Sequence, residues 1–135
     1  MKLLTHNVLS SKCLKGVSVG YPLRLNATDI KVVDVDYNSE FVSRMIPKIN
    51  YSALYDAAQS IGHLNGLPDA VVDDFESNED FLKAVHHVLL EVDIVSGDLE
   101  CPESGRKFPI TRGIPNMLVN ENEVNEINGS NGYNN

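Results

Sequence analysis

An alternation of apolar and polar residues on both sides of the middle of the chain limits its fold more than any other pattern. In the first third, Val33, Val35 and Tyr37 alternate with charged or polar residues. Towards the other end, Phe108 and Ile110 alternate with polar or proline neighbours. Successive side chains of a strand point to opposite faces, so this spacing predicts strands with one buried face. We therefore expect β-structure on both sides of a differently patterned middle.

Six short strands are predicted, two of them as the arms of one hairpin. Two lie in the first third, at 23–25 and 30–37. A β-hairpin is predicted around the turn Gly97-Asp98, and a further strand covers 108–110. The last, 114–119, is apolar and carries an early proline, which is tolerated at the start of a strand or at a sheet edge.

Three helices are predicted between these strand regions. The first begins at a polar cap, Asn38 or Ser39, and stops at Pro47, because proline lacks the amide hydrogen that a helix interior needs. The second ends at Gly62, where glycine accepts a left-handed backbone. The third begins at Ser77, which is followed by acidic residues that favour the positive end of a helix.

Size and composition indicate one folded domain. The chain has 135 residues, and 42% hydrophobic with 22% charged residues is an ordinary globular balance. No run approaches the ~18 apolar residues of a membrane helix, and polar residues at Thr5–Asn7 interrupt the first apolar stretch too early for a signal peptide. We expect a soluble protein inside the cell. Asn120–Asn135, with seven Asn and two Gly, is predicted to be a disordered tail.

The net charge of −8 is unevenly distributed and argues against unaided nucleic-acid binding. Residues 50–103 hold one basic residue against twelve acidic ones, whereas 104–119 hold three basic and no acidic ones. A solvated acidic face is the simplest interpretation of the middle. A stand-alone RNA-binding or ribosome-biogenesis protein remains the alternative function, and the basic ends are what favour it.

The histidines and cysteines of the sequence do not form a complete set of metal ligands. His86 and His87 are adjacent, so on a helix they diverge by about 100° and do not share a metal as an i, i+4 pair would. Structural zinc uses four soft ligands in close pairs, yet Ser104 stands where a second thiol would follow Cys101, and Cys13 is alone. We expect no metal site.

No catalytic motif is complete either. The sequence has no phosphate-binding loop, no dinucleotide-binding glycine pattern and no nucleophile elbow. A small hydrolase or redox enzyme using Cys101 would need a histidine such as His6 beside it, together with an ionised thiol. We expect no catalytic residues.

Four segments carry a family resemblance. They are MKLLTHN at Met1–Asn7, FVSRMIPK at Phe41–Lys48, HHVLLEV at His86–Val92, and CPESGRKFPI followed by RGIPNML within Cys101–Leu118. In this order and spacing they resemble the eukaryotic multifunctional methyltransferase subunit, the small activator of tRNA methyltransferases. The similarity covers nearly all of the chain before the tail.

The resemblance implies an α+β fold in which both chain ends form a small antiparallel β module. Residues 1–37 and 93–119 would make this module, 38–92 an inserted three-helix region and 120–135 the tail. The module is zinc-ribbon-like and bears zinc in some members, but here the packing of Leu3, Leu4, Phe108 and Ile110 would replace the metal.

The resemblance also implies the function. It predicts a non-catalytic subunit that activates and stabilises several S-adenosylmethionine-dependent class I methyltransferases as heterodimers, with tRNA, rRNA and a translation release factor as targets. The partner would bind S-adenosylmethionine, and this chain would bind no cofactor and would touch RNA only through the complex. Cytoplasm and nucleus are the expected locations.

The site residues follow from this implied role. Short strands with an exposed edge can extend the sheet of another protein, which suits an adaptor for several enzymes. The predicted partner-binding residues are Phe108, Ile110, Ile114, Pro115, Asn116, Met117 and Leu118. The predicted RNA contacts are Arg106, Lys107 and Arg112. The alternatives are an ordinary core strand for Ile114–Leu118 and solvated surface charge for the basic residues.

Overall fold

The computed structural model describes residues 1–124, in which three consecutive helices separate the first strand from the other three. Helices are α1 Leu3–Val8, α2 Ser39–Met45, α3 Tyr51–Ser60 and α4 Glu79–His86. Strands are β1 Arg24–Val32, β2 Val92–Glu100, β3 Lys107–Thr111 and β4 Ile114–Pro115. Short helical turns cover Ile46–Lys48, Phe75–Ser77, His87–Glu91 and Glu121–Glu123. Among the described residues no helix is both long and apolar enough to cross a membrane.

One antiparallel sheet in the order β1-β2-β3-β4 joins the two ends of the chain. With the three helices inserted between β1 and β2, this confirms the predicted α+β class. One apolar core connects the sheet to the helices; it includes Leu3, Leu54, Leu82, Leu99 and Phe108. The predicted β module and the predicted helical region therefore pack around one common core.

The first third differs from the prediction of two short strands. Leu3–Val8 is a helix whose buried residues Leu3, His6 and Asn7 have i, i+3, i+4 spacing. Arg24–Val32 is one continuous strand. The Val33 N–H still donates to the Glu91 carbonyl at 2.8 Å, but strand pairing goes no further because the opposite residues, His87–Glu91, form a helical turn. Alternation along the sequence does not show where a partner strand ends.

Gly97 lies at the centre of the sheet, opposite Ala27 of β1 and Ile110 of β3. Its φ of +145° is a conformation that L side chains rarely adopt, and a Cβ there would lie 2.1 Å from the Asn26 carbonyl oxygen. The pairing register of β1 shifts just beyond, on both sides of Asp29. Glycine is thus required for the close approach of β1 and β2, not for a hairpin turn as predicted.

The three inserted helices begin with the same cap. The side-chain oxygens of Asn38, Asn50 and Asn78 each accept a hydrogen bond, at 3.1 Å, from the backbone N–H three residues later. The cap of the third inserted helix, α4, is therefore Asn78, one residue after the predicted Ser77. Asparagine satisfies an otherwise unpaired amide at each helix start.

The third inserted helix, α4, is followed by the π-helical turn His87–Glu91. Its two adjacent histidines, His86 and His87, make separate contacts. His86 Nε2 lies 2.9 Å from the Val35 carbonyl oxygen, and His87 Nδ1 lies 2.9 Å from the Glu91 carboxylate. Glu91 also accepts the Val35 N–H, and these bonds lower the pKa of its carboxyl. His86 and Glu91 fasten the β1–α2 connection to the helix, and His87 holds the Glu91 carboxylate.

The first residues of the predicted tail are ordered. Asn120 caps a short turn at Glu121–Glu123, and Leu14 forms a bridge with Val124. The prediction of disorder from Asn120 onwards is wrong for 120–124, because polar and charged contacts, which composition does not reveal, hold this segment. The remainder of the predicted tail, 125–135, lies outside the described residues.

Candidate protein-docking site

The chain leaves the sheet along an exposed apolar edge. β4 pairs with β3 through Ile110–Pro115 and Thr111–Ile114, and the Asn116 N–H then donates to the Pro109 carbonyl at 2.8 Å. Burial alternates beyond this point, with every second residue from Ile114 to Leu118 exposed. This period of two continues the strand pattern past the end of the paired residues.

Two of the three exposed residues of this segment, Ile114 and Leu118, are large and apolar. Ile114 is 69% exposed and Leu118 is 81% exposed. They line an open groove of about 610 Å³ that includes all five residues of the predicted docking segment. The groove is lined by Pro109, Thr111, Ile114, Pro115, Asn116, Met117 and Leu118. A surface of this kind is typical of a protein contact; we call it the docking groove.

The backbone along the docking groove offers hydrogen-bonding groups to a neighbour. Because Asn116 pairs inward with β3, strand alternation directs the backbone of Met117 outward. Within 1–124, the Met117 N–H has no acceptor. Leu118 differs, since its N–H donates to the Asn116 side chain and its carbonyl accepts from Arg106. Met117 is therefore where an added strand would pair.

Phe108 and Ile110 do not lie in this groove. They are 0% and 2% exposed, on the side of β3 that faces the core. The prediction that they touch a partner directly does not fit this burial. Alternation showed that they share a face, but not that the face points inward. They belong to the apolar core beneath the groove.

The three basic residues have different surroundings. Lys107 and Arg112 are exposed. Arg106 instead forms an ion pair with Glu123, Nε to Oε2 at 2.8 Å, and its guanidinium stacks 4.6 Å from the centre of the Phe108 ring. The structure thus leaves two of the three predicted RNA contacts available to solvent.

The cysteine chemistry does not match a structural zinc site. Cys101 is fully buried, and its sulfur accepts a hydrogen bond from the Ser104 N–H at 3.3 Å. Burial raises the pKa of this thiol, but hydrogen bonds from Ser104 and Ser11 outweigh it and lower the pKa. Cys13 is a second free thiol. Hydroxyls around one thiol are a poor donor set for Zn²⁺.

His6 does not activate Cys101. Its Nε2 lies 2.7 Å from the Leu23 carbonyl oxygen, which it reaches as a donor, and burial lowers its pKa. In 1–124 no group of three or more His, Cys, Asp or Glu side chains could hold a metal ion. His6 and Cys101 are therefore not paired as base and nucleophile.

Glu103 joins the two halves of the β module and was not identified from the sequence. Its carboxylate accepts the backbone N–H groups of Ser18, Val19 and Gly20 at 2.9, 2.9 and 2.7 Å. These bonds, Ser18 first, lower the pKa of Glu103. A sequence separation of 83 to 85 residues hides such a contact from any local pattern.

Replacing Glu103 with glutamine is expected to lower the melting temperature at neutral pH, because three N–H donors lose an ionised acceptor. A carboxyl with a lowered folded-state pKa stabilises above its ordinary value of 4.5 and loses this effect as the pH falls through the lowered value. Thermal unfolding of the parent and Glu103→Gln should therefore differ most above that pH and converge in acid. Exposed Glu76→Gln is the control, and equal melting temperatures at neutral pH would contradict the prediction.

The fold and the docking groove are typical of a small α+β protein that binds another protein. The family model described as Trm112p-like protein matches residues 2–113. A TRM112-like multifunctional methyltransferase subunit from Mus musculus is 54% identical over 92% of this chain and 98% of its own length. The Arabidopsis thaliana homolog A is 47% identical over 92% and 100%. The chain belongs to the Trm112p-like family.

A solved structure agrees with the fold. A chain of the E. cuniculi Mtq2-Trm112 complex, described as responsible for methylation of the eRF1 translation termination factor, superimposes with a TM-score of 0.52. The match covers 87% of this chain and 95% of that one at 21% sequence identity. The architecture is thus retained at low sequence identity.

Proposed function

We propose that this chain is a non-catalytic activator and stabilising subunit of several S-adenosylmethionine-dependent methyltransferases that act on tRNA, rRNA and a translation release factor. The observation that carries the proposal is the exposed apolar docking groove in a member of a family whose curated relatives are named multifunctional methyltransferase subunits. The partner supplies the S-adenosylmethionine site, and this chain binds neither that cofactor nor zinc. Cytoplasm and nucleus are the proposed locations.

Docking occurs by strand addition. A strand of the partner pairs with the outward backbone of Met117, while the exposed side chains of Ile114 and Leu118 enter apolar pockets beside it. Backbone hydrogen bonds do not depend on the partner's side chains, and the flexible thioether of Met117 adapts to different surfaces. One groove can therefore serve several enzymes.

Activation follows from stabilisation. A subunit that binds only the folded enzyme raises its folding stability by about 2.7 kcal/mol when its free concentration is a hundred times the dissociation constant. An enzyme with an uncovered apolar edge gains solubility from the same contact. The acidic middle of this chain, with twelve acidic residues between 50 and 103, keeps the complex soluble.

Affinity capture of the full chain from cells, with identification of the captured proteins, tests the central proposal. Several methyltransferases should be recovered, and co-expression should raise the soluble yield of a release-factor methyltransferase. Recovery without any methyltransferase would refute the proposal. RNA binding by the isolated chain at physiological salt would favour the stand-alone RNA-binding alternative.

We further propose that Lys107 and Arg112 bind RNA phosphates when the complex engages a tRNA. Reversing both charges, Lys107→Glu with Arg112→Glu, is expected to weaken RNA binding and to lower the slope of log affinity against log salt by about two, one for each lost phosphate contact. Filter binding of tRNA by the complex at several salt concentrations measures this. Arg44→Glu with Lys48→Glu, two exposed charges of the helical region, is the control. Unchanged RNA affinity would show that Lys107 and Arg112 are solvated surface charges and do not contact RNA phosphates.

A further inference from the structure

The segment that follows the docking groove is bound back onto the β module, in part by the side chain of Arg106. Arg106 Nε and Nη2 donate to the two carboxylate oxygens of Glu123 at 2.8 and 3.1 Å. The same Nη2 donates to the Leu118 carbonyl at 3.2 Å, and Nη1 donates to the Lys107 carbonyl at 2.5 Å. Every nitrogen of the guanidinium therefore has an acceptor within the chain.

Both partners of this ion pair are themselves held in place. The guanidinium of Arg106 stacks on the buried Phe108 ring. Glu123 accepts the Asn120 N–H on its side chain at 2.9 Å, and its backbone carbonyl accepts the Lys15 N–H at 2.6 Å. The ion pair lowers the pKa of Glu123 to about 2. The link between the two ends of the chain is thus built from several cooperating contacts.

From this geometry we infer that Arg106 is a positioning residue for partner binding: its clasp on Glu123 and on the Leu118 carbonyl holds 117–124 so that the docking edge stays exposed and extended. The inference rests on the proposed function and deepens it. It places Arg106 in the docking machinery, in place of the phosphate contact predicted from its charge.

The effect of the clasp is to order the docking edge before binding. Leu118 ends the docking groove, and its backbone carbonyl is the atom that Arg106 holds. When only a fraction of a protein is in the binding-competent conformation, the apparent affinity falls by that fraction. Loss of the clasp therefore weakens partner binding although no contact with the partner is removed.

Arginine is specifically required for this geometry. Its planar fork reaches both oxygens of one carboxylate and still directs a donor at a backbone carbonyl. Lysine keeps the charge but has no fork, so Arg106→Lys separates the clasp from simple electrostatic attraction. Glu123→Gln removes the opposite charge without replacing any residue that lines the docking groove.

Amide hydrogen exchange and partner affinity together test the inference on the full chain, with a release-factor methyltransferase as the probe. Arg106→Lys and Glu123→Gln should speed exchange at 117–124 and weaken the affinity by about three- to tenfold, as expected for a comparable loss of the competent population. The charge swap of Arg106→Glu with Glu123→Arg should recover part of both relative to Arg106→Glu alone, because it restores the ion pair although not the bond to the Leu118 carbonyl. Arg24→Lys, at the exposed Arg24–Glu100 pair on β1, is the matched control.

Two results would overturn the inference: unchanged exchange at 117–124, or faster exchange with unchanged affinity. Its failure is distinguishable from failure of the proposed function. If Ile114→Asp abolishes binding while the clasp variants bind normally, only the clasp is wrong. If the parent chain does not bind the methyltransferase at all, the proposed function fails and the positioning role falls with it.

Discussion

Replacing Phe108 with alanine is expected to lower the free energy of unfolding by about 3–5 kcal/mol, the usual cost of removing a buried phenylalanine ring. The ring is fully buried, pairs across the sheet with Leu99 and carries the Arg106 guanidinium on its face. In a β module whose donor set does not suit zinc, the apolar core that contains Leu3 and Phe108 is one of the connections between the two chain ends. A cavity at this position removes that connection.

Urea unfolding followed by circular dichroism measures this change. Ile114→Ala, on the neighbouring strand but 69% exposed, is the control and should shift the stability by no more than about 0.5 kcal/mol. A loss below about 1 kcal/mol for Phe108→Ala would show that the ring is not a principal core residue. Addition of a chelator should leave the stability of the parent unchanged, since we propose that it holds no zinc.

Replacing Ile114 with aspartate is expected to weaken methyltransferase binding by at least about thirtyfold, equivalent to the ~2 kcal/mol of an interface hot spot. The side chain is exposed in the free chain and would be buried against the partner, where a carboxylate without a partner is costly. The fold should be unaffected, because the substitution lies outside the core.

Isothermal titration with a release-factor methyltransferase measures the loss, and Val8→Asp is the matched control. Val8 is 71% exposed at the end of α1 and does not line the docking groove. Equal weakening by both variants would indicate a nonspecific effect of charge. Normal binding by Ile114→Asp would move the interface away from β4.

Phe108→Ala and Ile114→Asp together test the buried and the exposed face of the β3–β4 hairpin separately. Phe108 points into the core from β3, and Ile114 points to solvent from β4. Loss of stability is expected from the first and loss of binding from the second. Measuring both quantities on both variants therefore shows whether support and recognition are separate properties of this module.

Local patterns predicted the elements whose partners lie nearby in the sequence. The helices over 39–45, 51–60 and 79–86 follow from polar caps and apolar spacing, which act within one or two turns. The strands near Phe108 and Ile114 follow from a period of two. The Leu3–Val8 helix was missed, because six residues offer too little periodicity to identify a helix.

Long-range contacts account for what the sequence did not reveal at the site. Glu103 meets the amides of Ser18 to Gly20, and Arg106 meets Glu123, through partners that are set by the folded chain. The sequence does not show whether a charged side chain faces RNA, solvent or a carboxylate. Arg106 was therefore predicted as a phosphate contact although its donors are already occupied.

The apolar residues between Phe108 and Leu118 show what the sequence determines and what only the tertiary structure decides. Their types and spacing were sufficient to predict a strand at an edge, and their motifs were sufficient to indicate the family. Burial distinguished Phe108 and Ile110, which support the site, from Ile114 and Leu118, which are free to bind. The physical reason is that alternation is a local property of the backbone, whereas the side that meets water depends on where the rest of the chain packs.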